Sequence, residues 1–250
     1  MINLQALSDA LIPLVLEAGD AIMSVYQRVQ SVTEKQDGSP VTEADKKAER
    51  LILRGLSSLE PDITVISEEN AESHKLQAPE LFFLVDPLDG TKEFLKEDGK
   101  GAFTVNIALI RNACPILGVV YAPALNRLFV GYEGGGSFEN GHRIRVADWP
   151  EAERVVAVAS ASHRDAQTDD WLRQNSVRKT VSIGSSLKFG LVAAGEANIY
   201  PRFGPTMEWD TAAGDAVLRA AGGRVENPDG SSFCYGKSDY KNGPFIAMGK

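Results

Sequence analysis

The segment Asp86-Pro87-Leu88-Asp89-Gly90-Thr91 sets two carboxylates three residues apart, directly after the apolar run Leu81-Phe82-Phe83-Leu84-Val85. Pro87 fixes one backbone angle, and Gly90 lets the main chain come close to a ligand. Such a turn aims both carboxylates and the Leu88 carbonyl at one point. Hard cations such as Mg²⁺ take oxygen ligands of this kind and usually keep water and substrate phosphate in their shell. Alone, the segment also reads as a polar surface turn. Further acids shift that balance. Glu68 and Glu69 follow the short apolar run Thr64-Val65-Ile66, and Asp210 follows Trp209 where the run Thr211-Ala212-Ala213-Gly214 begins. The plainer role for Asp210 is a helix N-cap. Asp45 closes Thr42-Glu43-Ala44-Asp45, which fits a capping box. Residue types alone do not decide whether these four segments converge.

A second set of residues suits an anion. Ser185 and Ser186 stand at the head of a helical stretch, where free amides accept negative charge, and Lys188 adds a cation about one turn in. Arg202 offers a planar fork that matches a phosphate. His163 follows Ser160-Ala161-Ser162. The plain alternatives are a capped helix, a solvated lysine and a structural histidine.

The elements that must hold these groups follow from periodicity. Leu4, Leu7, Leu11, Val15, Ala18, Ile22 and Val25 mark one helical stripe over 3–28, with a kink or late start expected at Pro13. A turn over 35–40 and the capping box lead into a second helix through Leu56. Strands are expected at 64–66, 81–85 (buried on both faces), 103–110 and 115–121. Residues 125–146 alternate and turn, extending an antiparallel sheet. Beyond Trp149-Pro150 the pattern changes. A strand at 155–159, helices near 165–174, 185–195 and 209–221, and short strands near Ile199 and Phe245 follow. The reading is an antiparallel-rich first half, 1–150, carrying most of the candidate metal ligands. An α/β second half, 151–250, carries Asp210 and the cationic residues.

Composition narrows the function classes. The chain has 250 residues and a net charge of −8, which argues against a nucleic-acid polymer as partner. The glycines match no dinucleotide fingerprint. Cys114 and Cys234 form no CxxC pair and read as reduced thiols. The first residues lack the basic stretch and cleavage site of a signal peptide, and no apolar run approaches the roughly 20 residues of a membrane span. The expectation is a cytoplasmic protein with no transmembrane segment.

Four pieces together, Pro40-Val41-Thr42-Glu43-Ala44-Asp45, Ser67-Glu68-Glu69, Leu84 to Thr91, and Glu208-Trp209-Asp210-Thr211-Ala212-Ala213-Gly214, resemble the inositol monophosphatase superfamily of metal-dependent phosphatases. Their order and spacing cover nearly the whole chain. The resemblance implies a layered α+β fold, an α-β-α-β-α sandwich, and two to three Mg²⁺ ions. It implies that Glu68, Asp86 and the Leu88 carbonyl hold one ion, that Asp86, Asp89 and Asp210 hold a second, and that Glu68 helps with a third. The Gly90 and Thr91 amides would contact the phosphate. Asp45 would bond Thr91, which with Glu68 orients the attacking water. Inhibition by Li⁺ is implied as well.

Ser160-Ala161-Ser162-His163, Gly184-Ser185-Ser186-Leu187-Lys188-Phe189 and the stretch from Ile199 to Thr206 are similar to the 3′(2′),5′-bisphosphate nucleotidase branch of that superfamily. Its members hydrolyse adenosine 3′,5′-bisphosphate to AMP, and some act on the sulfated nucleotide of sulfate assimilation. The resemblance implies that His163, Ser185, Lys188 and Arg202 surround the nucleotide and its 5′-phosphate. Other readings stay in view. An inositol or small-sugar phosphatase on the same scaffold would not need the Lys188 and Arg202 pair. A haloacid-dehalogenase-like phosphatase needs its two aspartates two residues apart, which Asp86 and Asp89 are not. A non-catalytic nucleotide sensor fits poorly, since every candidate metal carboxylate is present.

Overall fold

The computed structural model of the protein describes residues 2–26, 32–34, 40–95, 101–151, 154–162 and 164–250, the strands at 32–34 and 40–42 as backbone. Leu7, Leu11, Leu14, Val15, Ala18 and Ile22 are all buried along one helix, α1 (Leu4–Tyr26). Asn3 opens it, its Oδ1 accepting the Ala6 N–H at 3.1 Å. The late start expected at Pro13 does not occur, and α1 runs through it. Pro13 and Asp9 are both exposed, so the carbonyl that the missing N–H leaves unpaired lies on the solvent side of the helix. Strands β1 (Val32–Glu34) and β2 (Pro40–Thr42) pair antiparallel and lead into α2 (Glu43–Leu59). Residues 35–39 of the expected turn, and the Thr42 side chain of the expected capping box, lie outside the described residues.

Seven strands form the first sheet in chain order: β3 (Thr64–Ser67), β4 (Leu81–Asp89), β5 (Thr104–Arg111), β6 (Cys114–Ala122), β7 (Arg127–Tyr132), β8 (Gly136–Glu139) and β9 (His142–Ile144). Only the β3–β4 pair is parallel. β4 is buried from Phe82 to Leu88, as its apolar run requires. Its end corrects the sequence reading. The acidic segment is not a turn after the strand but its last residues, with a bulge against β5 between Asp86 and Asp89. Pro87 has no N–H for the ladder, and Asp86 Oδ1 accepts the Leu88 N–H at 3.0 Å instead.

Helices α1 and α2 cover one face of this sheet. The second half supplies α4 (Ala166–Gln174), α5 (Leu187–Ala193) and α6 (Ala212–Ala220). α5 and α6 fill the other face and share one apolar core with it, in which Phe82, Val120 and Phe129 meet Phe189, Val217 and Phe245. The seat of α6 is bare backbone. Gly118 and Gly131 are partners across β6 and β7. A β-carbon at Gly118 would lie 2.2 Å from the Ala213 carbonyl oxygen, and one at Gly131 2.7 Å from the Val217 Cα.

Beyond these helices lies a five-stranded sheet of β10 (Val156–Ser160), β11 (Lys179–Ile183), β12 (Ile199–Arg202), β14 (Arg224–Glu226) and β16 (Phe245–Met248), ordered β11-β10-β12-β16-β14. The short strands β13 (Thr206–Met207) and β15 (Lys241–Asn242) pair beside it. α4 closes the outer side over Val155, Ala157, Ile199 and Ile246. The layers are therefore helix, sheet, helix, sheet, helix, as expected. The chain passes from the first sheet at Ile144 to the second at Val156, across the boundary read near residue 150. No helix of the described residues is long and apolar enough to cross a membrane. Cys114 and Cys234 are free and exposed.

One buried charge lies on α6 itself. Asp215 accepts Arg219 Nε at 2.6 Å and the Tyr235 hydroxyl at 3.1 Å. Burial pushes its pKa up to about 6, against the downward pull of Arg219 and of both hydrogen bonds. An acid with a raised folded pKa binds more protons folded than unfolded between about pH 4 and 6. Its contribution is therefore present below that window and lost as pH rises through it. Comparing urea midpoints of wild type and Asp215→Asn from pH 4 to 7 isolates this slope. Wild type should lose about 1–3 kcal/mol relative to the variant across the window. A pH-independent difference would show that Asp215 does not titrate there.

Candidate active site

The bulged end of β4 is where the acids meet. Glu68 follows β3, and its N–H donates to the Val85 carbonyl at 3.1 Å, so it lies beside the start of the Asp86 segment. The Asp86 and Glu68 carboxyls share a hydrogen bond. Asp86 is 1 % exposed, and burial, then the charges of Glu68, Asp89 and Asp210, push its pKa well above the carboxylate range. Asp210 is raised in the same way, first by burial, then by Asp89 and Glu68. Asp89 is pushed up to about 6 by burial, while Lys188, the Ser186 N–H and Arg202 pull it down. Glu68, Asp86, Asp89 and Asp210 thus feel one another's charge although they come from both halves of the chain.

Asp210 is not the N-cap of α6, its plainer reading. It ends a short 3-10 turn, Glu208–Asp210, and its Oδ2 accepts the Met207 N–H at 2.9 Å, while Thr211 takes the N-cap position of α6. The close seat of α6 on Gly118 and Gly131 holds this turn against the first sheet. Gly90 takes a left-handed φ of 95° and heads the short helix α3 (Thr91–Phe94). α3 packs against β2, the strand that feeds α2. Asp45, in the first turn of α2, is only 2 % exposed. A carboxylate that merely capped a surface helix would stand in water.

The head of α5 differs from its sequence reading. Its Ser186 N–H goes to the chain's own Asp89, whose Oδ2 accepts it at 2.5 Å. The Ser186 hydroxyl lies 2.5 Å from Asn106 Oδ1 and 2.8 Å from Thr104 Oγ1, all three residues being buried. Lys188 is not a solvated charge. It is buried, its Nζ donates to the Ser185 and Ile183 carbonyls, and burial brings its pKa down to about 8 against the pull of Asp89. Arg202 lies near Tyr200 and donates Nη2 to the Pro205 carbonyl at 2.9 Å. Asp165 ties this loop to α4, accepting the Thr168 N–H at 2.8 Å and the Gly204 N–H at 2.9 Å. The site thus gathers Lys188 and Arg202 near Asp89 and Asp210. His163 lies outside the described residues.

The donor set fits a divalent cation. Its oxygens are hard ligands, and four like charges gathered around the buried Asp86 stay ionised only beside compensating positive charge. Among the described residues no three His, Cys, Asp or Glu side chains stand in coordination geometry. Several supporting residues escaped the sequence reading. Glu208, fully buried, accepts the Gly236 N–H at 2.7 Å, the Lys237 N–H at 3.0 Å and Lys237 Nζ at 2.7 Å. Its partners are distant in sequence and gave no signal. Thr104 and Asn106 did give one, as polar residues at alternate positions of an otherwise apolar strand.

Comparison with known proteins gives the family and the fold likeness of the chain. The model of the inositol monophosphatase family matches residues 3–247. A 3′(2′),5′-bisphosphate nucleotidase CysQ of Shigella flexneri is 48% identical over 230 residues, 91% of this chain and 93% of that protein. The crystal structure of CysQ from Bacteroides thetaiotaomicron superposes with a TM-score of 0.86 at 38% identity, covering 98% of each chain. An inositol monophosphatase structure from Thermotoga maritima gives a TM-score of 0.82 at 30% identity, over 96% of this chain and 91% of the other.

Proposed function

The chain belongs to the inositol monophosphatase family, whose enzymes are metal-dependent, and on that premise we propose that it is a magnesium-dependent 3′(2′),5′-bisphosphate nucleotidase. It hydrolyses the 3′-phosphate of adenosine 3′,5′-bisphosphate, giving AMP and phosphate. The observation that carries the reading is the meeting of Glu68, Asp86, Asp89 and Asp210 beside Lys188 and Arg202. The nearly full-length similarity to CysQ proteins supports the choice of nucleotide.

Glu68, Asp86, Asp89, Asp210 and the Leu88 carbonyl would hold two to three Mg²⁺ ions. Bound there, the ions supply positive charge that makes water a nucleophile near neutral pH and stabilises the phosphate oxygens. Asp45 holds Thr91, and Thr91 with Glu68 orients the attacking water. The Gly90 and Thr91 amides receive the phosphate. Gly90 is required at this bend, since its φ is left-handed and a β-carbon there would meet the Ala102 carbonyl oxygen at 3.2 Å. Burial of Asp86 keeps bulk water from competing for that carboxylate. Arg202 and Lys188, with Ser185 and His163, take the nucleotide and its uncleaved 5′-phosphate.

Phosphate release from adenosine 3′,5′-bisphosphate, 3′-AMP and myo-inositol monophosphate tests the reading. The bisphosphate should be preferred, and AMP should remain as product. Arg202→Ala should lower kcat/KM for the bisphosphate about 10- to 100-fold more than for 3′-AMP, because it removes a charge-assisted bond of roughly 1.5–3 kcal/mol. Lys188 also faces Asp89, so Lys188→Ala should lower use of both nucleotides. Equal loss on both in Arg202→Ala would remove that residue from 5′-phosphate recognition. A wild-type preference for inositol monophosphate would leave only the general phosphatase reading.

A further inference from the structure

Glu68 and Asp210 approach the site from opposite halves of the chain, and the charge of Glu68 acts against Asp210. Their segments are joined by contacts that bypass both carboxylates. Ser67, next to Glu68, is fully buried and bonded through N, O and Oγ. Its N–H donates to Ser73 Oγ at 3.1 Å, its hydroxyl to Glu49 Oε1 at 2.6 Å, and its carbonyl lies 2.8 Å from His74 Nε2. A carbonyl only accepts, so Nε2 carries the hydrogen. The face of that ring makes a second contact. His74 stacks on Trp209 with centroids 4.7 Å apart and planes 22° from parallel, and Trp209 directly precedes Asp210. The Trp209 indole N–H has no acceptor among the described residues, so the indole serves the junction through its ring alone. Leu76, two residues past His74, accepts the Tyr240 hydroxyl at 2.7 Å, and the Tyr240 carbonyl accepts the Glu208 N–H at 2.8 Å.

We propose that His74 is a positioning residue: bonded by its edge to Ser67 and stacked by its face on Trp209, it sets the spacing between Glu68 and Asp210 and so the affinity of the site for divalent cations. The inference rests on the metal-site reading above. Without the ring, two like-charged carboxylates relax apart, and an arriving ion must draw them together again. Residues that orient metal ligands in this way typically contribute a factor of about 10–100 in affinity.

The test is calorimetric titration of chelator-treated full-length protein with Mg²⁺ alone, beside melting curves with and without the ion. His74→Ala should bind Mg²⁺ about 10-fold more weakly or worse, with a smaller Mg²⁺-induced rise in Tm. His74→Phe keeps the stacked ring but loses the N–H, and should fall between that variant and wild type. Trp209→Phe keeps a ring face and should bind as wild type does. A lower Tm with unchanged Mg²⁺ affinity in His74→Ala would overturn the inference and leave His74 a purely structural residue. If His74→Ala does not fold, the His74→Phe titration decides, and wild-type affinity there overturns it equally. Absence of Mg²⁺ binding by wild type would defeat the metal reading and this inference with it. Equal binding by wild type and variants defeats this inference alone.

Discussion

Asp89→Asn lowers kcat/KM for adenosine 3′,5′-bisphosphate by about 1,000-fold or more while the protein stays folded. The two side chains are nearly the same size, and the Asn Oδ1 still accepts the Ser186 N–H that Asp89 receives at 2.5 Å. The contact between the end of β4 and the head of α5 therefore survives. What is lost is a full negative charge toward a hard cation, for which a neutral amide is a poorer ligand. Charge stabilisation by a bound ion contributes several kcal/mol to the transition state, and each 1.36 kcal/mol is a factor of ten. The measurement is steady-state kinetics over a Mg²⁺ series, with circular dichroism and melting to confirm folding. Chelator should abolish wild-type turnover and Mg²⁺ restore it. Wild-type rates from folded Asp89→Asn would sink the assignment of Asp89 as a ligand.

Asp45→Asn separates two roles that predict different sizes of effect. As a helix cap alone, the change costs about 1 kcal/mol of stability or less and leaves the rate near normal. As the partner that holds Thr91 beside the attacking water, it costs roughly 100-fold in kcat, because small misplacement of reacting groups is expensive. The second outcome is expected. Asp45 is 2 % exposed, and α3, which Thr91 begins, packs against the strand leading into α2. The kinetic parameter to follow is kcat with KM alongside, since a group that orients water leaves ground-state binding of the nucleotide largely unchanged. Equal kcat in variant and wild type would return Asp45 to helix capping.

Local chemistry was legible in the sequence where neighbours in the chain are also neighbours in space. The apolar run before Asp86 is a strand buried on both faces, and the stripe from Leu7 to Ile22 is the buried side of α1. Even so, the two acids of the central segment were placed after β4 and not within it. The apolar pattern stops at Val85, but pairing with β5 continues to Asp89 across the bulge at Pro87. Groups whose partners lie far along the chain were misjudged or missed. Lys188 looks solvated by composition, yet tertiary packing buries it opposite Asp89. The amide of Ser186 looks free for a phosphate, yet a residue 97 positions away reaches it. His74 carries no pattern, and Glu208 none beyond its place beside Trp209-Asp210, because their roles arise only when the two halves fold together.

The paired glycines beneath α6 alter what distance from the active site means for this molecule. At Gly118 and Gly131 the gap between helix and sheet is set by main chain touching main chain or nearly so, with no side chain to adapt. A single added methyl group there has nowhere to go but into the helix, and α6 carries Asp210 only two residues before its first turn. Alanine at either glycine is therefore a remote lesion with a local symptom, displacing a ligand without touching it. A survey of tolerated substitutions should find these two sheet positions grouped with the acidic residues in their intolerance, and apart from the buried aliphatic positions on the α1 side, where packing has side chains to yield.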